Sequence, residues 1–559
     1  MKEVKNDRDS KMRTDKKFFV NGDKKHKYSE MATEEIFSSQ ERQRYEKVSN
    51  LTELNNKMSK FNENIENISK HHLQNDKYNL YTNDKKSVKR GVLRKKIFET
   101  RNSLFTDLFN EVKHVKAVYN IFAALFIITF LNTAAHDILY NGSLSLGFTT
   151  IKLGFGKLTF VIQMWLAMIA SSYSVYYVYS FYAHQRTKLS QKSFKLKIWD
   201  YTWLLLFIAY QLTFLAVPAY VTLKAELPPP SGFIVLMEQV RLIMKIHAFI
   251  RSTVPSVINN ELHSNSTGIL IPKLSKFSYF MFAPTLIYQD NYPRTEKIRW
   301  RIVAKYLLEL AFVIVFVAMI FERVVLPAYK EFGHEEFNLP GFISRTLSTT
   351  FPGIVIFLCG FYCLLHVWMN AFAELMRFGD RLFYKDWWNS VSFDNYYRTW
   401  NVVVHDWLYT YIYKDFYELI VPGNKFVATF FVFFTSAVVH EYLLACAFRF
   451  FYPMMFIFFG VFGFLLVFIT KKESNSLGNI FLWFSLIIGS GMLVSFYAME
   501  YFARINCPSL EDKLLDVILP RSWYCYEGLS GSNYESQLLL YVLSFSIITI
   551  TSLLYKKFV

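Results

Sequence analysis

The sequence is short of cysteine, of charged residues and of any apolar stretch near its beginning. Its five cysteines among 559 residues are too few for a disulfide scaffold. Charged residues make up 19% of the chain, less than a soluble multidomain protein of this length normally carries. The N-terminal segment before the first apolar run is polar, so no signal peptide is expected there. These shortages argue against a disulfide-rich secreted domain and against a soluble multidomain protein.

Apolar residues are abundant instead. The chain is 52% hydrophobic and 18% aromatic, and its mean hydropathy is positive. Runs near or above the ~20 residues needed to cross a bilayer recur along it, which predicts an all-α polytopic membrane protein. The candidate spans lie at about 118–138, 158–183, 200–223, 233–250, 302–326, 351–377, 426–446, 452–470, 478–503 and 537–555.

Basic residues alternate between the two sides of these spans. Residues 85–96 hold seven Lys or Arg just before the first apolar run, so the positive-inside rule predicts a cytosolic N-terminus. The loops expected in the cytosol are 184–199, 251–301 and 378–425. The segments expected in the lumen are 224–232, 327–350 and 504–536. The last of these holds Cys507 and Cys525, in a compartment where a disulfide can persist.

The net charge of +17 could indicate a nucleic-acid partner. The excess flanks apolar runs, however, where it sets orientation and favours anionic lipid head groups. We therefore expect membrane lipids, and no nucleic acid, as partners. The final residues, Lys556-Lys557-Phe558-Val559, have the form of a dilysine signal for return to the endoplasmic reticulum, which works only on a cytosolic tail. Two ordinary flanking lysines are the open alternative.

The N-terminal region divides into two parts. Residues 1–50 show no sustained apolar period and are predicted to be a disordered cytosolic tail. Residues 51–72 carry an apolar seam with alternating spacings of three and four, formed by Leu51, Leu54, Met58, Phe61, Ile65 and Ile68. A helix this short is marginal alone, which favours self-association through the seam over a single amphipathic helix.

The fourth apolar run is interrupted by charge. Glu238, Arg241 and Lys245 recur at intervals of three and four and so share one face of a helix. Charged side chains at membrane depth are costly unless they face protein or a water-filled cavity. We therefore expect this helix to turn its polar stripe away from lipid.

His440 lies near the middle of the apolar run 426–446. A buried imidazole that stays neutral can accept a proton. Ser436 lies on the same helix face, and Glu441 adds a second ionisable group. A hydrogen-bonded histidine with no chemical role is the open alternative. The dense aromatic, amide and hydroxyl groups of 383–407 favour chemistry, because such segments persist at membrane depth only inside protein or along a cavity.

The motif Phe383-Tyr384-Lys385-Asp386-Trp387-Trp388-Asn389 resembles the FYxDWWN signature of membrane-bound O-acyltransferases that act on sterols and diacylglycerol. Three further stretches resemble the sterol O-acyltransferase branch: Asn395–Asp406, Ser436–Tyr442, and Phe282–Tyr288 with Tyr292-Pro293-Arg294. The resemblance covers roughly residues 95–527. The diacylglycerol branch shares the signature but differs in the run from Asn395 to Trp407.

The resemblance implies a chemistry. His440 would be the general base for the sterol 3-hydroxyl, and Asn401 would position or stabilise the thioester carbonyl oxygen. Acyl-CoA is the implied co-substrate, with no bound cofactor, metal or covalent intermediate. The implied acyl-CoA contacts are Asn395, Arg398, Asn401, His405, Tyr413, Lys425 and Ser436. His114 would lie near the sterol entrance. The implied supporting residues are Phe383, Tyr384, Asp386, Trp387, Trp388, Asn389, Trp400 and Glu441.

The resemblance also implies an organisation. Residues 95–503 would form the catalytic membrane domain, with about nine spans counted to its end, and 504–536 a lumenal segment with a Cys507–Cys525 disulfide. The seam at 51–72 matches the family's oligomerisation segment, which implies a homodimer or homotetramer. The run 537–555 would be an additional span. Two other functions stay open: acylation of diacylglycerol or a fatty alcohol, and lipid transport. The polar groups cluster in one stretch with no inverted repeat, which disfavours transport.

Overall fold

A computed structural model describes residues 96–189, 193–258, 271–334, 339–470, 476–523 and 525. These residues all belong to one compact unit that begins at Lys85. The predicted N-terminal tail, the seam at 51–72, the additional span at 537–555 and the dilysine lie outside the described residues. Those four expectations therefore stay predictions.

The described chain is helical. Its first eight α-helices are α1 (Leu104–Glu111), α2 (Lys113–Asn141), α3 (Phe148–Gly154), α4 (Leu158–Thr187), α5 (Phe194–Lys224), α6 (Pro229–Ile258), α7 (Leu274–Phe282) and α8 (Trp300–Ile320). The next eight are α9 (Leu326–Tyr329), α10 (Leu339–Ser348), α11 (Thr350–Phe361), α12 (Met369–Leu375), α13 (Phe393–Trp400), α14 (Val402–Leu408), α15 (Lys425–Phe448) and α16 (Phe464–Ile469). The last two are α17 (Ser476–Asn506) and α18 (Lys513–Ile518).

Several helices run into π-helical turns. The π-helical segments are Phe321–Val325, Tyr362–Trp368, Tyr409–Tyr413, Phe416–Ile420 and Phe456–Gly463. Short 3₁₀ turns occur at Trp387–Asn389 and Arg521–Trp523. Within the described ranges, β structure is limited to two isolated bridges, Arg101 with Asp380 and Arg294 with Phe378.

Seven described helices are long and apolar enough to cross a membrane. They are Lys113–Tyr140, Leu158–Thr187, Phe194–Lys224, Trp300–Tyr329, Pro340–Leu375, Lys425–Phe448 and Leu477–Asn506. Each coincides with a span expected from hydropathy. The expected span at 452–470 contains a shorter apolar helix, Phe456–Ile469. The prediction of an all-α polytopic membrane protein is confirmed.

The expected span at 233–250 is part of α6, which carries too much charge to count among the seven. Its polar stripe faces protein. Glu238 accepts a hydrogen bond from Trp165 Nε1 at 2.9 Å and pairs with Arg241 at 2.6 Å. Lys245 Nζ donates to the Ala283 carbonyl at 2.7 Å. The stripe thus fastens α6 to α4 and to the segment that follows α7.

Three helices, α4, α5 and α15, pack around α6. Helix α6 lies against α15 on one side and against α4 and α5 on the others. Pro218 removes one backbone donor inside α5, because proline has no N–H. Gln239 of α6 donates its Nε2 to the Phe214 carbonyl at 2.7 Å, four residues before that proline. Tyr442 of α15 donates to the neighbouring Leu215 carbonyl at 2.9 Å, so α5, α6 and α15 are joined close to Pro218.

Candidate active site

The signature loop holds the backbone around Asn401. The Lys385 N–H donates to the Thr399 carbonyl at 2.8 Å, and the Val402 N–H donates to the Phe383 carbonyl at 3.0 Å. These two bonds lie on either side of Asn401, in the junction between α13 and α14. The loop therefore fixes the position from which the Asn401 side chain projects.

The tryptophans of the signature are packing residues. Trp387 is almost fully buried, with its ring 4.6 Å from Trp400, 5.1 Å from Phe361 and 5.5 Å from Trp483 between centroids. Trp388 stacks on Phe105 at 5.1 Å, with the two rings nearly parallel. Aromatic pairs of this kind add to the energy of burial. In contrast, the side chains of Asp386 and Asn389 are exposed.

Tyr384 joins a buried polar cluster. Its hydroxyl lies 2.7 Å from His366 Nδ1 and 3.0 Å from Ser103 Oγ. His366 is only 2% exposed, and Asn370 of the following turn donates to its backbone carbonyl at 2.7 Å. A buried hydroxyl and imidazole must find partners, and here they satisfy each other. The cluster ties the signature loop to the helix Pro340–Leu375 and to the segment before α1.

Asn401 caps helix α14. Its Oδ1 accepts a hydrogen bond from the Val404 N–H at 3.1 Å, which is the usual geometry of an N-cap asparagine. Because the backbone partner is a donor, the atom facing it must be the amide oxygen. The Nδ2 amide group makes no hydrogen bond in the described part of the chain. It is therefore available as a donor to a bound molecule.

His440 is anchored by the main chain of its own helix. Its Nδ1 lies 2.7 Å from the carbonyl oxygen of Ser436, and Ser436 Oγ is more distant at 3.5 Å. A carbonyl oxygen can only accept, so this bond needs the proton on Nδ1. Nε2 then carries the lone pair, and no described residue bonds to it. The imidazole is half-buried although it lies well inside a membrane-spanning helix.

Phe459 connects the two site segments. Its ring lies 5.1 Å from the His440 ring and 5.5 Å from the ring of Tyr397 on α13. Tyr397 is also 5.0 Å from Phe433, two turns before His440. Within the described residues, no hydrogen bond joins Asn401 directly to His440. Instead, aromatic packing of α13 and α15 against the π-helical segment Phe456–Gly463 connects the parts of the chain next to Asn401 and His440.

Glu441 supports that π-helical segment. Its carboxylate is buried and accepts hydrogen bonds from the Phe456 N–H at 3.0 Å and from the Tyr497 hydroxyl at 3.3 Å. The first bond satisfies a backbone donor at the beginning of the segment that carries Phe459. Glu441 thus contacts the structure around the imidazole rather than the imidazole itself.

Three of the predicted acyl-CoA residues are exposed, two on α13 and one at the start of α15. Asn395 and Arg398 are exposed and three residues apart, so they share a face of α13. Arg398 pairs with Asp394 at 3.1 Å, an exposed ion pair of small energy. Lys425 is exposed at the first residue of α15. Because these groups are exposed, an anionic ligand can reach them directly from solvent.

His405 and Tyr413 belong to a stack of rings on the helix that follows Asn401. The centroid separations are 6.4 Å from His405 to Tyr409, 5.5 Å from Tyr409 to Tyr413 and 5.8 Å from Tyr413 to Tyr417. All three pairs are within 14° of parallel. The four half-buried rings form a continuous aromatic face.

The family of the chain follows from comparison with known proteins. The MBOAT model, which represents the membrane-bound O-acyltransferase family, matches residues 118–499, more than half of the sequence. The chain belongs to this family. Sterol O-acyltransferase 1 of Mus musculus is 43% identical over 433 residues, which are 77% of this chain and 79% of that protein. The corresponding protein of Cricetulus griseus is 42% identical over 77% of this chain and 78% of its own length. Sterol O-acyltransferase 2 of Homo sapiens is 37% identical over 78% of this chain and 81% of its own.

The resemblance read from the signature motifs is therefore confirmed, and this membrane-bound O-acyltransferase is an acyl-CoA-dependent enzyme. The structure brings His440 together with Ser436, and Asn401 with the signature loop. His114 is exposed near the start of α2 and makes no hydrogen bond or ring contact in the described chain, so its role at a sterol entrance stays a prediction. The same holds for the other assigned site roles.

The structure also joins Cys507 to Cys525, whose Cα atoms are 5.8 Å apart. Arg521 binds this loop together by donating to the Cys507 carbonyl at 2.9 Å and pairing with Asp516 at 2.7 Å. Cys359, Cys363 and Cys446 are free. In the described residues of this acyltransferase, no group of His, Cys, Asp and Glu is arranged to hold a metal ion.

Sequence reasoning missed two residues that contact the candidate site segments. His366 is a second imidazole in an apolar run, and the same argument that singled out His440 could have found it. Lys96 forms an ion pair with Asp406, in the short helix that Asn401 caps. No local pattern could have revealed that pair, because the two residues are 310 positions apart.

Proposed function

We propose that this membrane-bound O-acyltransferase transfers a long-chain acyl group from acyl-CoA to the 3-hydroxyl of a sterol, producing steryl esters for storage. One observation carries the acyl-transfer chemistry: the Nδ1–H of His440 is committed to the Ser436 carbonyl, which leaves Nε2 as a base inside a membrane-spanning helix. The sterol as acceptor is supported by the relatives, which are sterol O-acyltransferases by name.

The reaction follows from these two groups. His440 Nε2 accepts the proton of the sterol hydroxyl as the oxygen attacks the thioester carbonyl carbon. Negative charge then develops on the carbonyl oxygen, where the free Nδ2–H of Asn401 donates a hydrogen bond. The carbon–sulfur bond breaks, and the CoA thiolate takes the proton from the imidazolium. The products are a steryl ester and free CoA.

Acyl-CoA binding uses the neighbouring surface. Arg398 and Lys425 would pair with CoA phosphates, since both cations are exposed. Asn395, His405, Tyr413 and Ser436 would contact the remainder of the molecule. CoA is supplied from the cytosol, so the segment 378–425 would face that compartment, in a multi-pass protein of the endoplasmic reticulum membrane with both termini cytosolic. A homodimer or homotetramer would be the working form.

The test is an acceptor panel. Microsomes from cells without their own steryl-ester synthesis would express the protein and receive labelled oleoyl-CoA with a sterol, a diacylglycerol or a fatty alcohol. We expect labelled steryl ester from the wild type and none above background from His440→Ala. Labelled triacylglycerol without steryl ester would refute the sterol assignment in favour of the diacylglycerol branch, whose signature the loop 383–389 shares.

A matched control is available in α4. His184 has the same geometry as His440, with Nδ1 2.8 Å from the carbonyl of Ser180 four residues earlier, but its side chain is exposed and distant in sequence from the motifs. We expect His184→Ala to keep wild-type ester synthesis. Loss of activity in this variant as well would show that removal of any such histidine damages the fold.

A further inference from the structure

The segment before the first span contacts the two stretches of chain that flank the Asn401 junction. Residues 96–103, called the strap below, begin at an ion pair with Asp406 and end at Ser103, whose hydroxyl meets Tyr384 at 3.0 Å. Between these ends, the Arg101 N–H donates to the Gly379 carbonyl at 3.0 Å, and Arg101 pairs with Asp380 at 3.1 Å. The strap therefore contacts residues on both sides of the Asn401 junction.

The ion pair of the strap is buried. The side chain of Lys96 is 7% exposed and that of Asp406 is 5% exposed. The Lys96 backbone is held too, because Gln289 Nε2 donates to its carbonyl at 3.0 Å. The ammonium also lies 4.9 Å from the centre of the Phe98 ring, within cation–π range. A buried charge that lost this partner would be left uncompensated.

Asp406 lies beside a predicted acyl-CoA residue. Its second oxygen, Oδ1, is 3.6 Å from His405 Nδ1, which is within ion-pair range but longer than a hydrogen bond. Burial alone would raise the pKa of Asp406, yet the nearby Lys96 ammonium and His405 outweigh it and hold the pKa below its usual value. The carboxylate is therefore ionised and faces a cation on one side and an imidazole on the other.

The short helix α14 is fixed at three points. Asn401 caps its beginning, Trp407 Nε1 donates to the Met244 carbonyl of α6 at 2.9 Å, and Asp406 is held by Lys96. The first two points are backbone contacts that any conformer of His405 would tolerate. The third point, the ion pair between Lys96 and Asp406, holds the carboxylate that lies beside the His405 ring.

We propose that Lys96 is a positioning residue for acyl-CoA binding: by pairing with Asp406 it fixes the carboxylate that orients His405 toward the co-substrate. The inference rests on the proposed function, because it takes His405 as an acyl-CoA contact. It assigns to the strap a part in binding CoA rather than in proton transfer. Loss of the Lys96 charge should accordingly weaken acyl-CoA binding and leave the chemistry at His440 intact.

The test separates binding from turnover. The full-length protein in nanodiscs would be titrated with a thioether analogue of oleoyl-CoA, which binds but has no thioester to cleave. For Lys96→Met we expect the Kd of the analogue to rise by about tenfold, the effect of losing a hydrogen bond to a charged group. In the ester assay, the KM for acyl-CoA should rise similarly, while kcat and the KM for the sterol stay within about twofold, which is ordinary scatter for a change outside the reacting groups.

Two further variants test the charge argument. Lys96→Arg restores the cation and should bring the Kd back to within about threefold of wild type, given the different geometry of the guanidinium. The double variant Lys96→Met/Asp406→Asn removes both charges, so its Kd should not exceed that of Lys96→Met, since the residues act as one unit. Lys297→Met serves as the matched control, because Lys297 is exposed and has no ion pair in the described structure; its Kd should not change.

The possible outcomes are distinct. An unchanged Kd in Lys96→Met, or a fall in kcat with an unchanged KM for acyl-CoA, overturns the inference. If Lys96→Met does not accumulate as folded protein, the charge-neutral double variant takes its place, and a Kd equal to that of the wild type then overturns it. A wild type that binds the analogue but makes no steryl ester would refute the sterol assignment, while the Kd comparison would still decide the role of Lys96.

Discussion

The Asn401 side chain does two separable things, and one substitution can divide them. Its Oδ1 caps α14 by accepting from the Val404 N–H at 3.1 Å, and its Nδ2 has no partner among the described residues. In Asn401→Asp, a carboxylate oxygen can still accept from Val404, and aspartate is as good an N-cap as asparagine. The other oxygen, however, replaces a donor with an acceptor of negative charge. The helix should survive, and the stabilisation of the carbonyl oxygen should not.

The size of the effect follows from the two roles. Loss of one donor to a developing oxyanion costs about 3–4 kcal/mol, or a factor of about 10²–10³ in kcat. Repulsion by the new carboxylate can only increase this loss. The cap itself contributes about 1 kcal/mol, which Asn401→Ala would lose and Asn401→Asp would keep. We therefore expect kcat to fall at least about a hundredfold in both variants, and only the alanine variant to be less stable than the wild type.

The measurements are kcat with labelled oleoyl-CoA at saturating sterol and the thermal midpoint of the purified protein. Asn424 provides the matched control, because it caps α15 in the same way, with Oδ1 3.1 Å from the Val427 N–H, and is exposed. Asn424→Asp should keep kcat within about twofold at saturating acyl-CoA, as expected for a change outside the reacting groups. An Asn401→Asp enzyme with more than a third of the wild-type kcat would refute the assignment of Nδ2 to the oxyanion.

Three further predictions concern other parts of the structure. Ser436→Ala should retain kcat within about fivefold, while His440→Ala loses all activity, because the carbonyl of residue 436 and not its hydroxyl makes the short bond to the imidazole; a Ser436→Ala enzyme as inactive as His440→Ala would contradict this. Tyr384→Phe should lower stability by about 1–3 kcal/mol in thermal unfolding, because it leaves buried polar partners unsatisfied. Hydrogen bonds from Arg521 lower the pKa of Asp516 in the folded protein. The ionised carboxylate therefore stabilises the fold above its unfolded pKa of about 3.9, and this stabilisation is lost as the pH falls through the lower folded pKa. Asp516→Asn should have a lower thermal midpoint than the wild type at neutral pH, and its midpoint should fall less than that of the wild type between about pH 5 and 3.

Hydropathy was sufficient to predict the membrane-spanning part of the fold. A span needs only length and an apolar composition, which are local properties of the sequence, and the seven described spans all appear where the runs predict them. The charged stripe of α6 was also predictable, because three residues at helical spacing must share a face. The residues that the stripe contacts could not be predicted, because Trp165 and Ala283 lie on other segments of the chain.

The π-helical turns could not be predicted from the sequence. The segment Phe456–Gly463 is continuously apolar, so its composition indicates a helix but not which hydrogen-bond pattern the helix adopts. Residues on other segments contact it: Glu441 accepts a hydrogen bond from the Phe456 N–H, and the rings of Tyr397 and His440 pack on Phe459 within the segment. These tertiary contacts place the segment beside His440.

The two residues proposed to carry the chemistry follow one structural rule. Each has a side chain with two polar ends, and each gives one end to a main-chain group: His440 Nδ1 to the Ser436 carbonyl, and Asn401 Oδ1 to the Val404 N–H. Since a backbone carbonyl only accepts and a backbone N–H only donates, these partners determine which end remains free. A base is left at Nε2 and a donor at Nδ2, which are the two functions that acyl transfer to an alcohol requires. Anchors of this kind do not depend on neighbouring side chains. Substitutions around the site should therefore leave the base at Nε2 and the donor at Nδ2 in place. The affinity for acyl-CoA should be more sensitive to such substitutions, because it depends on side-chain pairs such as Lys96 and Asp406.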